Sequence, residues 1–190
     1  MIVAGALLLM LPAASAAGAA TPFTDALFTS TSAVCVTGLV VRDSGSYWSP
    51  FGQSLILLLI QIGGLGVITM SATFLMLAGR NISLKERSAM QDALSAPSVG
   101  GIVRLTRFIL KGTFIVELTG ALVMLPVFWR DHGFRGIWMA VFHSVSAFCN
   151  AGFDILGTAE RPYPSLTAYV GNPVVNITVI FLLVVGGVGF

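Results

Sequence analysis

From Phe51 to Gly79 the chain carries no charged residue, and the run is long enough to cross a bilayer with some tilt. Water offers no reason to keep such a segment free of charge. The whole chain agrees: of 190 residues, 56% are hydrophobic and 9% charged, whereas soluble domains carry about 25% charged residues. So few charges cannot cover a water-exposed surface, and the expected surroundings are lipid. A formal net charge of +2 gives no reason to expect a nucleic-acid partner.

Other segments share this character. Residues 2–20 are uncharged and rich in Ala and Leu. A secretory signal peptide would need a basic leader, and no Lys or Arg precedes Arg42, so a first membrane helix is expected. Thr21-Pro22 reads as a helix start, with Thr as cap, Pro at the first helical position and Asp25 in the first turn. The helix over 22–34 is too short to span. Arg42 to Pro50 is an exposed loop. Phe108–Trp129 is a further span, carrying Glu117 at membrane depth, where the expected arrangement is a carboxyl paired with a basic or amide group on a neighbouring helix. Residues 136–148 form a second short helix, with His143 packed and hydrogen-bonded inside it. Asp154–Asn172 is a polar loop, and Val174–Phe190 begins a last span. Because the chain stops inside that apolar segment, it reads as a fragment.

Charge placement orients the chain. Residues 80–111 hold six of the ten Lys and Arg, so this linker is expected in the cytoplasm, with both polar loops outside. The sequon Asn81-Ile82-Ser83 would then escape glycosylation.

Two motifs occur twice, in the same order. Ser32-Ala33-Val34-Cys35-Val36-Thr37-Gly38-Leu39 is echoed by Ser146-Ala147-Phe148-Cys149-Asn150-Ala151-Gly152-Phe153. Gly63-Gly64-Leu65-Gly66 is echoed by Gly186-Gly187-Val188-Gly189. The expected fold is all-α: two tandem repeats, each a membrane helix, a short pore helix, a glycine loop and a second membrane helix. The first repeat covers 1–79, a cytoplasmic linker 80–100, and the second repeat 101–190. Irregular backbone at membrane depth is tolerated only when buried or lining a water-filled path. Each glycine loop follows the C-terminus of a short helix, whose dipole favours a cation. Rings of backbone carbonyls can replace the water of a dehydrated cation, and glycine accepts the dihedrals such a ring needs. The candidate ligands are thus the carbonyls of this loop, with the Thr37 hydroxyl a further candidate. Asp154 could concentrate cations at the outer edge or simply cap its loop. Cys35 and Cys149, at matching places, are expected as buried thiols rather than a disulfide. The Gly-Gly-x-Gly motifs fit either close helix packing or a bend beside the path, or both.

At these motifs, together with Gln61-Ile62 before the first Gly-Gly, the sequence resembles the KtrB/TrkH family of potassium transporters, in a superfamily with the plant HKT proteins. The KtrB branch is the better likeness. The resemblance covers essentially the whole chain and implies repeats similar to potassium-channel subunits, with one filter glycine in each. Gly38 and Gly152 would be those glycines, and Val36, Thr37, Gly38, Asn150, Ala151 and Gly152 the potassium ligands. It also implies potassium uptake across the cell membrane with sodium as a coupling ion, a multi-pass protein (in the inner membrane of a Gram-negative cell), a homodimer and a cytosolic nucleotide-binding ring as partner. The family has four repeats around one pore and carries its gating loop in the third; this chain shows two.

No resident cofactor is expected, since potassium is cargo. The alternative is a secondary carrier for another monovalent cation or small solute, because carriers also use broken helices and repeats. Their repeats are often inverted, whereas these two must share one orientation. A purely structural membrane protein leaves the repeated loop without a purpose. An enzyme is not expected, because no paired carboxylates, metal cluster or nucleophile with its base stand out.

Overall fold

The structure, a computed structural model, describes residues 1–66 and 102–188. All of its regular elements there are helical. Six α-helices run in order: α1 Ile2–Leu9, α2 Phe23–Val34, α3 Pro50–Gly64, α4 Ile102–His132, α5 Arg135–Phe148 and α6 Pro173–Val188. Within α4, Thr106–His132 is long and apolar enough to cross a membrane; α3 and α6 are shorter apolar helices. The expected linker 80–100, both of its boundaries, the second half of the Phe51–Gly79 span and the sequon lie outside the described residues. Met1–Gly64 and Glu117–Gly189 form one compact unit, which contains both glycine loops; Leu65–Val116 belongs to a second, whose described part is chiefly the start of α4.

Several expectations need correction. Residues 2–20 are not one helix. Leu11 is extended at φ −60°, ψ 138°, and a single 3-10 turn follows at Pro12–Ala14. Pro12 explains the break, because it lacks an N–H and forces the preceding residue out of the helical region. Thr21 does not cap α2. Pro22 is the N-cap residue, with no side-chain cap, and the Thr21 hydroxyl instead accepts a bond from Tyr47 Oη at 3.2 Å. Asp25 does lie in the first turn of α2, where it also holds Arg42 at 2.8 Å. Pro50 begins α3 rather than closing the loop before it.

The compact unit packs through small residues, and the same three-way contact occurs in it twice. Ser30 on α2 donates to the Ile2 carbonyl of α1 at 2.7 Å, and a Cβ on Gly5 would meet Ser30 Oγ at 2.5 Å and Leu59 of α3 at 2.9 Å. Ser144 on α5 donates to the Glu117 carbonyl of α4 at 2.6 Å, and a Cβ on Gly120 would meet Ser144 Oγ at 2.6 Å and Leu182 of α6 at 2.7 Å. Each glycine lets a short helix approach closely enough for its serine to reach another helix's main chain, as membrane interfaces built on small residues do. Around these contacts Ile56, Ile60, Met124, Phe128, Phe142 and Leu182 are fully buried.

Candidate functional site: the two glycine loops

Both short helices end in the same way. Cys35 closes α2 and Cys149 closes α5, each with helical dihedrals. The next residue turns left-handed: Val36 at φ 55° and Asn150 at φ 56°. Val36 N–H then bonds Ala33 O at 3.3 Å and Thr37 N–H bonds Ser32 O at 3.0 Å; Asn150 N–H bonds Ala147 O at 3.0 Å and Ala151 N–H bonds Ser146 O at 2.8 Å. This nested pair of bonds is the Schellman ending. Glycine usually fills its left-handed position. Asparagine tolerates that conformation, whereas β-branched Val36 is strained there.

This ending sorts the polar groups of the loop. The N–H groups of residues 36, 37, 150 and 151 are consumed by the helix they follow. Among the described residues, no hydrogen bond reaches the carbonyls of 35–38 or 149–152. The chain turns left-handed again two residues on, at Gly38 (φ 71°) and Gly152 (φ 70°), while Thr37 and Ala151 between keep negative φ. The glycines lie against one another: a Cβ on Gly152 would fall 3.4 Å from Gly38 Cα, and one on Gly38 would fall 2.7 Å from the Ala151 carbonyl oxygen. All six sequence-predicted residues thus belong to two loops that meet at their glycines.

The serine of each motif is structural, a role the sequence reading did not assign although the serine is part of the repeated pattern. Ser32 Oγ accepts from Thr37 Oγ1 at 3.0 Å, so the Thr37 hydroxyl points its proton back at α2. Ser146 Oγ donates to the Phe153 carbonyl at 2.7 Å. The Gly-Gly motifs pack closely. A Cβ on Gly63 would collide with the Val34 carbonyl, and one on Gly186 with the Phe148 carbonyl. Each seats the last turn of a short helix. Gly64 lies against Cys149, and Gly66 adopts φ 82°, so packing and a special backbone occur side by side. Both cysteines are free thiols; Cys149 is buried as expected, but Cys35 is exposed.

Neighbouring groups support the loops. Glu117 is buried and accepts from Gln61 Nε2 at 2.9 Å, the amide pairing expected of it. His143 stacks on Phe128 and shares a 2.7 Å hydrogen bond through Nδ1 with the Met139 carbonyl. Outside the glycines, Asp154 caps its own loop by accepting from Leu156 N–H at 3.1 Å; burial pushes its carboxyl above the usual range. Asp43 was missed from sequence. It is buried and accepts from Ser46 N–H (2.7 Å), Ser46 Oγ (2.6 Å) and Tyr163 N–H (2.8 Å), joining the loop before α3 to the loop before α6. The signal was present in Asp43-Ser44-Gly45-Ser46, a sequence suited to a side-chain-closed turn.

The family model described as TrkH, a cation transport protein, matches residues 2–190. The chain belongs to this family. It is 41% identical, over its whole length, to the potassium/sodium uptake protein NtpJ of Enterococcus hirae and to the Ktr system potassium uptake protein B of Bacillus subtilis. It is 38% identical, again over its whole length, to the Ktr system potassium uptake protein B of Vibrio alginolyticus. The chain spans 41% of the length of the first two relatives and 40% of the third. Membership places it among multi-pass proteins of the cell membrane, in agreement with the helical fold and the uncharged spans.

Proposed function

We propose that the protein containing this chain takes up potassium, and that the two glycine loops form part of its selectivity filter. The carrying observation is the matched pair of loops, with unbonded carbonyls and facing glycines. In an extended strand successive residues face opposite ways. Where φ alternates in sign, as over Val36-Thr37-Gly38 and Asn150-Ala151-Gly152, successive carbonyls turn toward one side. Oxygens so arranged replace part of the hydration shell of a cation, and the ends of α2 and α5 add a negative potential. Potassium as the cargo rests on the relatives, whose names describe potassium uptake.

In this reading residues 1–79 and 101–190 are two like-oriented repeats joined by a cytoplasmic linker over 80–100. They supply two sectors of a ring that the rest of the longer protein completes. Sodium coupling, a homodimer and a cytosolic nucleotide-binding ring are part of the proposal by family likeness. Uptake by liposomes holding the full-length protein, with potassium and sodium compared, tests it. Potassium-saturable flux that prefers potassium is the expected result; equal handling of the two ions would overturn the filter assignment.

A further inference from the structure

The two loops differ at the residue that first turns left-handed. Val36 offers only an apolar side chain at its left-handed position, whereas Asn150 carries an amide that reaches out of the loop. Its Nδ2 donates to the Leu183 carbonyl of α6 at 3.3 Å and to the Phe148 carbonyl at 3.4 Å. Among the described residues, the first of these is the only hydrogen bond from Cys149–Asp154 to α6. A cavity of about 190 Å³ lies beside this contact, lined by Asn150, Gly152, Phe153 and Asp154 of the loop and by Val179 and Leu183 of α6, among others. A Cβ on Gly187 would stand 3.5 Å from Nδ2, in ordinary contact, so a longer side chain there would press on the amide. No equivalent bond joins Cys35–Leu39 to α3 among the described residues.

We propose that Asn150 is a positioning residue: its amide ties the second glycine loop to α6, so that the placement of this helix sets the placement of the loop's carbonyls. This rests on the filter reading above. The loop's other side-chain bond, from Ser146 Oγ to the Phe153 carbonyl at 2.7 Å, ties it to α5 and not to α6. The N–H groups of Asn150 and Ala151 are spent on α5, the cavity lies on one side of the loop, and like-charged carbonyl oxygens turned toward one side repel. A tether to an apolar helix opposes that repulsion. The first loop likewise bonds its own short helix, through Thr37 Oγ1 and Ser32 Oγ, but has no tether to α3 among the described residues. The two sectors of the filter would therefore respond differently when α6 shifts.

The test uses the full-length protein in liposomes, with the KM for potassium and the potassium-to-rubidium preference as readouts. Asn150→Gly keeps the left-handed backbone easy while deleting the amide. It should raise the KM by about threefold to tenfold, the scale of one modest hydrogen bond, and alter the rubidium preference, with maximal rate per protein changed less. Gly187→Leu leaves the loop's own residues unchanged but wedges the amide off Leu183, and should shift both readouts in the same direction. The double variant should shift them less than the two single effects combined, because both break one contact. Wild-type KM and rubidium preference in either single variant, or fully additive effects in the double, overturn the proposal. Should Asn150→Gly fail to reach the membrane, Gly187→Leu decides alone. Failure of the wild-type protein to take up potassium would instead reject the proposed function.

Discussion

Gly38 and Gly152 meet backbone to backbone, each left-handed and each close enough that a side chain on one would press on the loop of the other. Gly38→Ser should therefore act twice. It places a Cβ about on top of the Ala151 carbonyl and asks an L-residue to hold φ 71°. The expected outcome in the full-length protein is a loss of potassium-over-sodium discrimination with expression largely kept, and Gly38→Asp should impair transport further. Ion-competition flux measures this. Wild-type affinity and selectivity in a well-folded Gly38→Ser protein would remove the residue from the filter.

Gly63 and Gly186 have a different task. Each accommodates a carbonyl of the helix it packs on, Val34 and Phe148 respectively. Gly63→Ala or Gly186→Ala should cost about 1–3 kcal/mol through overpacking, read as a lower unfolding temperature of purified protein. Gly171→Ala is the control, because nothing lies within 4 Å of a Cβ there.

Val36 is held in a conformation that Asn150 adopts easily at the matching place. Val36→Asn should stabilise the fold by about 1 kcal/mol, the usual cost of a left-handed β-branched residue. Thermal unfolding checks it. A lower stability would mean that packing of the Val36 side chain outweighs its backbone strain.

Much of this organisation was legible in the residues. The repeated Ser-Ala-x-Cys-x-x-Gly motif located both loops, because glycine and polar residues between apolar runs are rare in lipid and need a purpose. Helix α5 begins one residue before its expected start and α2 one residue after. The break at Pro12 was visible but overridden by the uniform apolar run around it. Gly5, Ser30 and Leu59 could not be recognised as one contact with a twin at Gly120, Ser144 and Leu182, because they lie on three different helices and only packing brings them together. The exposure of Cys35 also depends on packing, and its matching position to buried Cys149 pointed the wrong way. Asp43 was hidden because its partner Tyr163 lies 120 residues further along the chain.

The expected orientation rests on charge, and thiol labelling tests it directly. In a background lacking Cys35 and Cys149, Glu160→Cys and Val170→Cys should react with an impermeant thiol reagent applied to intact cells, as both positions are exposed on the loop expected outside. Lys85→Cys should react only after the cells are opened. Labelling of position 85 from outside would reverse the assignment.

The last prediction concerns Gln61 and Glu117, which hydrogen-bond to each other at 2.9 Å between α3 and α4. Both side chains are buried, so neither can turn to water if the other is removed. Glu117→Ala should cost about 1–3 kcal/mol, because it strands the Gln61 amide without an acceptor. Glu117→Gln retains an acceptor oxygen of the same shape and should cost less. Replacing both, as Gln61→Leu with Glu117→Leu, removes the stranded groups together and should recover part of the loss, since two apolar partners leave nothing unpaired. Unfolding temperatures of these variants, with the Gln61→Leu and Glu117→Leu singles to close the cycle, measure the coupling. A coupling of zero would show that the pair contributes nothing to holding α3 against α4. If uptake by Glu117→Gln is also abolished while its stability is kept, then Glu117 acts on the ion path and not merely as the partner of Gln61.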